Sequence, residues 1–274
     1  MREPRFYRHW VKDDNLVSFE LAVKQTDLYI RSRRDLKDKA LDSVLKHRGS
    51  LESYIVRHPI FLTTLQPYQA EAGAPVIVKE MARVSQLTGV GPMAAVAGAI
   101  AEATGSDLLA YSPEVIVENG GDIFLKVSKR RRVGVYAGQS FFTKTIALEI
   151  MPRETPLGIC TSSGTVGHSL SLGSADAVIV LSPSTALADA AATALGNIVK
   201  GADDIPRALE KARSIEGLRG AVVIVGDKVG IWGKVKIVPL GYAAVRRSRD
   251  SDRVSFTLES DSRQVPRRSE DPPD

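Results

Sequence analysis

The sequence Ala188-Asp189-Ala190-Ala191-Ala192-Thr193-Ala194-Leu195 is almost all alanine, interrupted by one acid and one hydroxyl. It follows an apolar run over residues 177–181, so the pattern predicts a buried strand that leads into a buried helix over about residues 184–199. Asp189 and Thr193 are four residues apart, which places them on one face of that helix. A carboxylate among such small apolar residues is costly to bury unless it is paired or bound to a metal.

The same spacing also has a purely structural explanation. Asp189 could cap a helix or form a salt bridge, and Thr193 could donate a hydrogen bond to a backbone carbonyl one turn earlier. The sequence leaves this explanation and a ligand-binding one both open.

Around this stretch, hairpins flank pairs of helices, and strands and helices do not alternate one for one. This order predicts an α+β fold of mixed or antiparallel sheets with packed helices, not a doubly wound parallel sheet. Residues 1–245 are expected to form a single globular unit, and the charged residues 246–274 a disordered tail.

Strands are predicted over residues 5–12, 16–32 (two strands), 111–117, 122–127, 133–137, 145–150, 158–163, 221–225 and 229–238. Helices are predicted over 36–57 (with an interruption at Gly49), 74–88, 91–104 and 205–215. Helix 74–88 is expected to bury Val76, Val78, Met81 and Leu87.

The helix predicted over residues 91–104 has almost no bulky side chains. It is interpreted as a buried spacer that packs closely against a neighbour, with a homodimer interface as the alternative.

Composition narrows the class of protein. The 274 residues carry a formal net charge of +5 and one cysteine, Cys160, which excludes an internal disulfide and is compatible with a cytoplasmic protein. No apolar run is long enough to span a membrane, and the first residues lack a signal-peptide core. Residues 129–132, Lys-Arg-Arg-Arg, are interpreted as a solvated hairpin tip, because no aromatic residues interleave with them as in nucleic-acid-binding segments. Neither nucleic acid nor membrane is expected as a partner.

Two loops carry further candidate residues. Asn119-Gly120-Gly121-Asp122 lies between two predicted strands and forms either a tight hairpin turn or a close-approach surface for a ligand. Thr161-Ser162-Ser163-Gly164 ends a strand with N–H and O–H donors that could meet an anion. His168, three residues beyond Thr165, is a candidate general base or a surface histidine. Cys160 is expected to be an inert core thiol.

Taken in order, these segments resemble the ApbE family of FAD:protein FMN transferases, and within it the uncharacterised UPF0280 branch. The resemblance covers about residues 16–240. It rests on Phe19–Ile30, on residues 119–122, on residues 161–164, and on Ala188-Asp189 with Thr193-Ala194-Leu195. It implies that Asp189 and Thr193 ligate Mg²⁺ near the FAD pyrophosphate. It also implies that residues 119–122 line the flavin pocket and that residues 161–164 lie beside it.

The resemblance implies FMN transfer from FAD to a protein hydroxyl, with His168 as the candidate catalytic residue. Two family segments differ here, and the difference favours the first of two alternatives. A Lys-Gly-Tyr-type segment is replaced by residues 97–102, Ala-Gly-Ala-Ile-Ala-Glu, and only His168-Ser169-Leu170-Ser171 remains of a His-Ile-Ile-Asp-Pro-type motif. The alternatives are a non-catalytic module that binds a flavin, pterin or nucleotide, and an enzyme acting on another small metabolite in the same pocket.

Overall fold

The computed structural model describes residues 16–143, 145–164 and 173–240, together with the backbone of residues 258–260. The strands are β1 (Val17–Val23), β2 (Thr26–Ser32), β3 (Val115–Asn119), β4 (Asp122–Lys126), β5 (Arg131–Gly134), β6 (Ile146–Ile150), β7 (Leu157–Ser162), β8 (Ala177–Ser182), β9 (Gly220–Val225), β10 (Lys228–Gly233), β11 (Ile237–Pro239) and β12 (Leu258–Ser260). The helices are α1 (Lys37–Arg57), α2 (Ile60–Thr63), α3 (Val76–Thr88), α4 (Val96–Leu108), α5 (Thr185–Ile198) and α6 (Ile205–Ser214).

Eight strands form the main sheet in the order β1-β2-β3-β4-β7-β8-β9-β10, and four form a second sheet in the order β11-β6-β5-β12. Every pairing described is antiparallel. The predicted α+β architecture with antiparallel sheets and packed helices in a single unit is therefore confirmed.

The main sheet is apolar on both faces because it is covered on both. Side chains such as Ile123, Ile159 and Ile179 pack with those of the second sheet. The alternate residues, among them Val178 and Val180, pack with the helices. Period-two alternation thus separates two cores, and the candidate site lies in the helix-side layer.

The predicted spacer helix is confirmed as α4, whose small residues bring it close to α5. A Cβ atom added to Gly98 would lie 2.5 Å from the carbonyl oxygen of Thr185 and 2.8 Å from Cβ of Asp189. Glycine is therefore required at this position for the two helices to approach. The small residues on one face of the helix are buried within the chain and unavailable to a second copy: Gly98, Ala99, Ile100, Ala101, Thr104 and Gly105. A homodimer interface elsewhere on this helix stays a prediction.

The basic run at residues 129–132 differs from a wholly solvated tip. Arg131 begins β5 and is only 1% exposed, and its Nη2 lies 2.9 Å from Oε1 of the fully buried Glu114. Ser128 donates a hydrogen bond of 2.7 Å to the other oxygen of Glu114, and Arg33 forms an ion pair with the same carboxylate. The interpretation of Arg131 as a solvated residue was wrong because its partner lies on a segment distant in sequence.

Other element boundaries were also corrected. Helix α1 continues through Gly49, and the strand predicted over residues 229–238 is two strands, because the chain turns at Gly233 (φ +83°) and β11 joins the second sheet. Val76 is 84% exposed and Leu87 37% exposed, so only Val78 and Met81 of the predicted apolar positions face the core.

Some predictions fall on residues that the structure does not describe. The strand predicted over residues 5–12, Thr165 and His168 lie outside the described residues. So does most of the predicted tail, in which β12 pairs with β5. The division at residue 245 stays a prediction.

Within the described ranges no single helix is long and apolar enough to cross a membrane. The pair formed by α3 and residues Pro92–Leu108 meets the length and composition test together, but it is bent by 107°.

Candidate functional site

Asp189 binds the beginning of a neighbouring helix. Its Oδ2 accepts a hydrogen bond of 2.8 Å from the backbone N–H of Gly98, in the first turn of α4, and Ala97 contributes a second backbone interaction. The first N–H groups of a helix lack partners within it and carry partial positive charge, so a carboxylate is favoured there. The structural explanation of Asp189 as a helix cap is thereby confirmed, although the helix that it caps is α4 and not its own.

A second carboxylate faces the same space. Asp122 begins β4 and pairs in register with Cys160 on β7, whose alternate side chains face the helices. Burial, and after it the negative charge of Asp122, raise the pKa of Asp189 well above its ordinary range, against the opposing effect of the hydrogen bonds from Gly98 and Ala97. The fold therefore brings two carboxylates from α5 and β4 into electrostatic contact.

Cys160 lies against this pair but is closed off from solvent. It is fully buried, and its thiol donates a hydrogen bond of 3.3 Å to the carbonyl oxygen of Thr185. Burial, with the charges of Asp122 and Asp189, raises the pKa of the thiol well above its usual range. A protonated, buried thiol is a poor nucleophile, as the sequence predicted.

Residues 119–122 form the tight hairpin turn that was one of the two interpretations. Asn119 and Asp122 pair across the turn, with Gly120 at φ +75°. The side-chain amide of Asn119 donates a hydrogen bond of 3.1 Å to the carbonyl oxygen of Ala97. The turn is therefore tied to the beginning of α4, the same point that Asp189 caps, and the two predicted segments meet there.

The end of β7 offers fewer free donors than predicted. The backbone N–H of Thr161 donates to the carbonyl oxygen of Gly121, and that of Gly164 to the carbonyl oxygen of Ala175. Because side chains alternate along a strand, Ser162 shares the helix-side face with Cys160 and Thr161 faces the other way. The side chain of Ser162 therefore lies on the site-facing side of the strand, and Ser163 follows it directly.

Thr193 lies one turn after Asp189 and is half-buried. Among the described residues, its hydroxyl donates no hydrogen bond, so the predicted bond to a carbonyl one turn earlier is not made. An oxygen atom on the same face of α5 as Asp189 is therefore available to a ligand.

A cluster of polar side chains that the sequence did not reveal secures the beginning of α5. Ser184 is the N-cap of α5, and its hydroxyl lies 3.1 Å from Oε1 of Glu80 and 3.2 Å from Oε2 of Glu102, which also accepts a hydrogen bond of 3.0 Å from the N–H of Ala186. Burial, together with the charge of Glu80, raises the pKa of Glu102. The only sequence signal was the Ser184 position ahead of an apolar helical run.

The donor chemistry at Asp189 fits magnesium. A carboxylate and a hydroxyl are the hard oxygen donors that Mg²⁺ prefers, and Mg²⁺ is usually bound by one or two carboxylates together with substrate phosphates and water. In the described part of the chain no cluster of three or more His, Cys, Asp or Glu residues forms a metal site of its own. The donors therefore suit a cation shared with a phosphorylated ligand better than a closed structural metal site.

The carboxylate that caps α4 and the glycine turn thus lie together between the main antiparallel sheet and the helical layer. Residues 8–231 match the family model described as "AbpE bacteria", and the chain belongs to that family as an ApbE-like UPF0280 protein.

Relatives and solved structures agree with this assignment. A UPF0280 protein of Methanocaldococcus jannaschii is 44% identical over 221 residues, covering 78% of this chain and 90% of the relative. One of Methanosarcina acetivorans is 44% identical over 200 residues, covering 72% and 79%. The fold is similar to that of the flavin transferase ApbE from Vibrio cholerae (TM-score 0.51, 15% identity, 79% and 96% of the chains covered). It is also similar to that of the flavinyl transferase ApbE from Pseudomonas stutzeri (TM-score 0.54, 13% identity, 80% and 94% covered).

Proposed function

We propose that this protein binds FAD or a related phosphorylated ligand together with Mg²⁺, and that Asp189 and Thr193 are the metal ligands. One observation carries the proposal: Asp189 is held against the beginning of α4, next to Asp122 and the turn 119–122, with the hydroxyl of Thr193 available on the same helical face. Two clustered carboxylates repel each other, and a divalent cation would compensate them. The similarity in fold to two flavin transferases supports a flavin as the ligand.

The chain's own residues fix the geometry that such a ligand would meet. The N–H of Gly98 holds the Asp189 carboxylate, and Asn119 ties the glycine turn to the same helix end. Gly120 and Gly121 keep the turn without side chains, so that a ligand can approach the backbone. Ser162 and Ser163 are proposed to contact the same ligand.

The proposed reaction is transfer of FMN from FAD to a hydroxyl of a protein acceptor. Bound Mg²⁺ would neutralise charge on the pyrophosphate. The acceptor oxygen forms a bond to the FMN phosphorus, the pyrophosphate bond breaks, and AMP leaves with the bonding electrons. His168 is proposed to accept the proton of the hydroxyl. We place the reaction in the cytoplasm, in keeping with the single cysteine of the chain.

A second candidate is a binding module without transfer activity. Residues 97–102 favour it, because they present no lysine or tyrosine where the resemblance implies them. Gly98 has no room for a side chain of any kind. On this view the pocket holds a flavin, pterin or nucleotide that is released unchanged, and an enzyme acting on another small metabolite would use the same pocket.

A titration with FAD, with and without Mg²⁺, tests the proposal when flavin fluorescence and AMP are measured in the same sample. Magnesium-dependent quenching with AMP release is expected for the transferase, and quenching without AMP for the binding module. Asp189→Asn should abolish the magnesium dependence, whereas Asp203→Asn, an exposed carboxylate ahead of α6, should retain it. Absence of FAD binding to the wild-type protein would refute the flavin assignment.

A further inference from the structure

The strand β10 ends the main sheet with one apolar face uncovered. It pairs with β9 over six consecutive residues without a bulge, and within the described residues no strand lies on its other side. Val229 is 39% and Ile231 48% exposed. Natural edge strands are usually protected by proline, bulges or charged residues in their middle, because an open edge can pair with another chain. Between Val229 and Trp232 this strand has none of these.

The exposed side chains continue the core between the two sheets. Val229 and Ile231 lie opposite Ile224 and Val222 of β9, which are fully buried in that core. The opposite face of β10 is covered by α6, where Ile205 contacts Gly230 so closely that a Cβ atom there would lie 2.2 Å from its side chain. The apolar surface is thus on one face only, and it ends at the sheet edge.

The loop after β5 contacts the turn at the beginning of β10. Ser140 donates a hydrogen bond of 2.6 Å to the carbonyl oxygen of Gly226, in the turn between β9 and β10. The next residue, Phe141, is 77% exposed. The loop after β5 therefore carries an exposed aromatic residue next to the one that contacts the β9–β10 turn.

We propose that β10 pairs with β10 of a second copy of this chain, antiparallel about a two-fold axis at Gly230, to form a homodimer with a continuous sheet. In an antiparallel pair, residues directly opposite each other place their side chains on the same face of the sheet. An axis at Gly230 pairs residues of β10 whose side chains are on the same face, so the apolar face continues across the interface. It places Val229 opposite Ile231 of the partner subunit and Lys228 opposite Trp232 of the partner subunit. An apolar cluster of four side chains then forms on one face, and two cation–π pairs on the other.

The charges at the ends of the strand are complementary in this arrangement. Asp227, whose side chain is 81% exposed, pairs opposite Gly233 of the partner subunit, which places it next to the partner's Lys234. No two like charges face each other across the axis. A two-fold dimer uses the same surface patch on both subunits, so that patch must be complementary to itself, as it is here. The inference is independent of the flavin proposal, because β10 carries none of the proposed ligand-binding residues.

Sedimentation of the wild-type protein over a range of micromolar concentrations, compared with two variants, tests the dimer. Ile231→Lys would place lysine opposite Val229 in a desolvated cluster and should weaken dimerisation about tenfold or more. Val17→Lys is the matched control, because Val17 lies on the opposite edge strand β1 and is 43% exposed. Circular dichroism would establish that both variants are folded.

A disulfide experiment tests the register. In the proposed pairing, a mixture of Val229→Cys and Ile231→Cys proteins should form a cross-linked heterodimer, whereas each variant alone should cross-link weakly. Cys160 is fully buried and does not compete. A wild-type protein that is monomeric throughout, or an Ile231→Lys protein that dimerises like the wild type, would overturn the dimer. Self-cross-linking of Val229→Cys as efficient as that of the mixture would overturn the register.

Discussion

Asp189 on α5 accepts a 2.8 Å hydrogen bond from the backbone N–H of Gly98 on α4, across 91 residues of sequence. This bond joins the metal-ligand candidate to the beginning of the helix that the glycine turn 119–122 also contacts. This arrangement lowers the stability of the folded protein, because the Asp189 carboxylate is held close to that of Asp122. The charge at Asp189 is therefore expected to serve binding and not stability.

Replacement of Asp189 by asparagine tests whether the charge of Asp189 destabilises the ligand-free protein. Asn retains an acceptor for Gly98 but removes the charge, so the ligand-free variant should be more stable than the wild type at neutral pH. Because the native pKa of Asp189 is raised above its ordinary 3.8, the native state binds more protons than the unfolded state, and wild-type stability should fall as pH rises through the interval between the two values. Thermal unfolding over a pH series should show this slope in the wild type and a smaller one in Asp189→Asn.

In the presence of magnesium, the wild type should become more stable than Asp189→Asn. A cation that binds only the native state stabilises it by RT ln(1 + [L]/Kd), so the melting temperature of the wild type should rise with the magnesium concentration. Asp189→Asn should lose at least about tenfold in magnesium affinity. An equal magnesium-dependent stabilisation of both proteins would remove Asp189 from the metal site.

Thr193 provides a second, finer test of the same site. Its hydroxyl makes no hydrogen bond that the described structure records, so Thr193→Val should leave the stability of the ligand-free protein within about 0.5 kcal/mol of the wild type. Magnesium binding should nevertheless weaken about tenfold. Thr193→Ser retains the oxygen and should bind as the wild type does. Titration calorimetry with magnesium and FAD measures both, and equal affinities for the valine and serine variants would contradict a ligand role.

Gly98→Ala should disturb the approach of the two helices. The added methyl group meets a backbone carbonyl at 2.5 Å, which cannot move aside without shifting α5, and overpacking of this kind costs about 1–3 kcal/mol. Gly49→Ala is the matched control, since this exposed glycine within α1 has no atom within 4 Å of an added Cβ. That variant should gain about 0.5–1 kcal/mol from helix propensity. Chemical denaturation of both variants gives the comparison, and equal effects would exclude the steric explanation.

Relationships between residues close together in the sequence could be predicted, whereas contacts between residues distant in sequence could not. The spacing of Asp189 and Thr193 is a property of one helix, and the glycine turn is a property of one hairpin, so both could be predicted from short patterns. The capping of α4 by Asp189 could not be predicted, because it depends on how closely two helices pack. The burial of Arg131 was missed for the same reason: within residues 129–132 its residue type does not set it apart, and its buried partner Glu114 lies on another segment.

The buried pair of Glu114 and Arg131 should be one of the larger single contributions that can be tested by substitution. Burial alone would raise the pKa of Glu114, but hydrogen bonds from Ser128 and the charge of Arg131 outweigh it and lower the pKa. The stabilisation is therefore present above the pKa of the unfolded state and is lost as pH falls through the lower native value. Glu114→Gln removes a buried negative charge that pairs with Arg131 and should cost about 3–5 kcal/mol at neutral pH. Glu210→Gln, which breaks the exposed pair with Arg213, should cost less than about 0.5 kcal/mol. Urea unfolding at neutral and acidic pH measures the stability of both variants. Because Glu114 becomes protonated in the native state at low pH, the difference in stability between Glu114→Gln and the wild type should narrow as the pH falls. A difference that stays constant would show that the carboxylate charge is not what stabilises the pair.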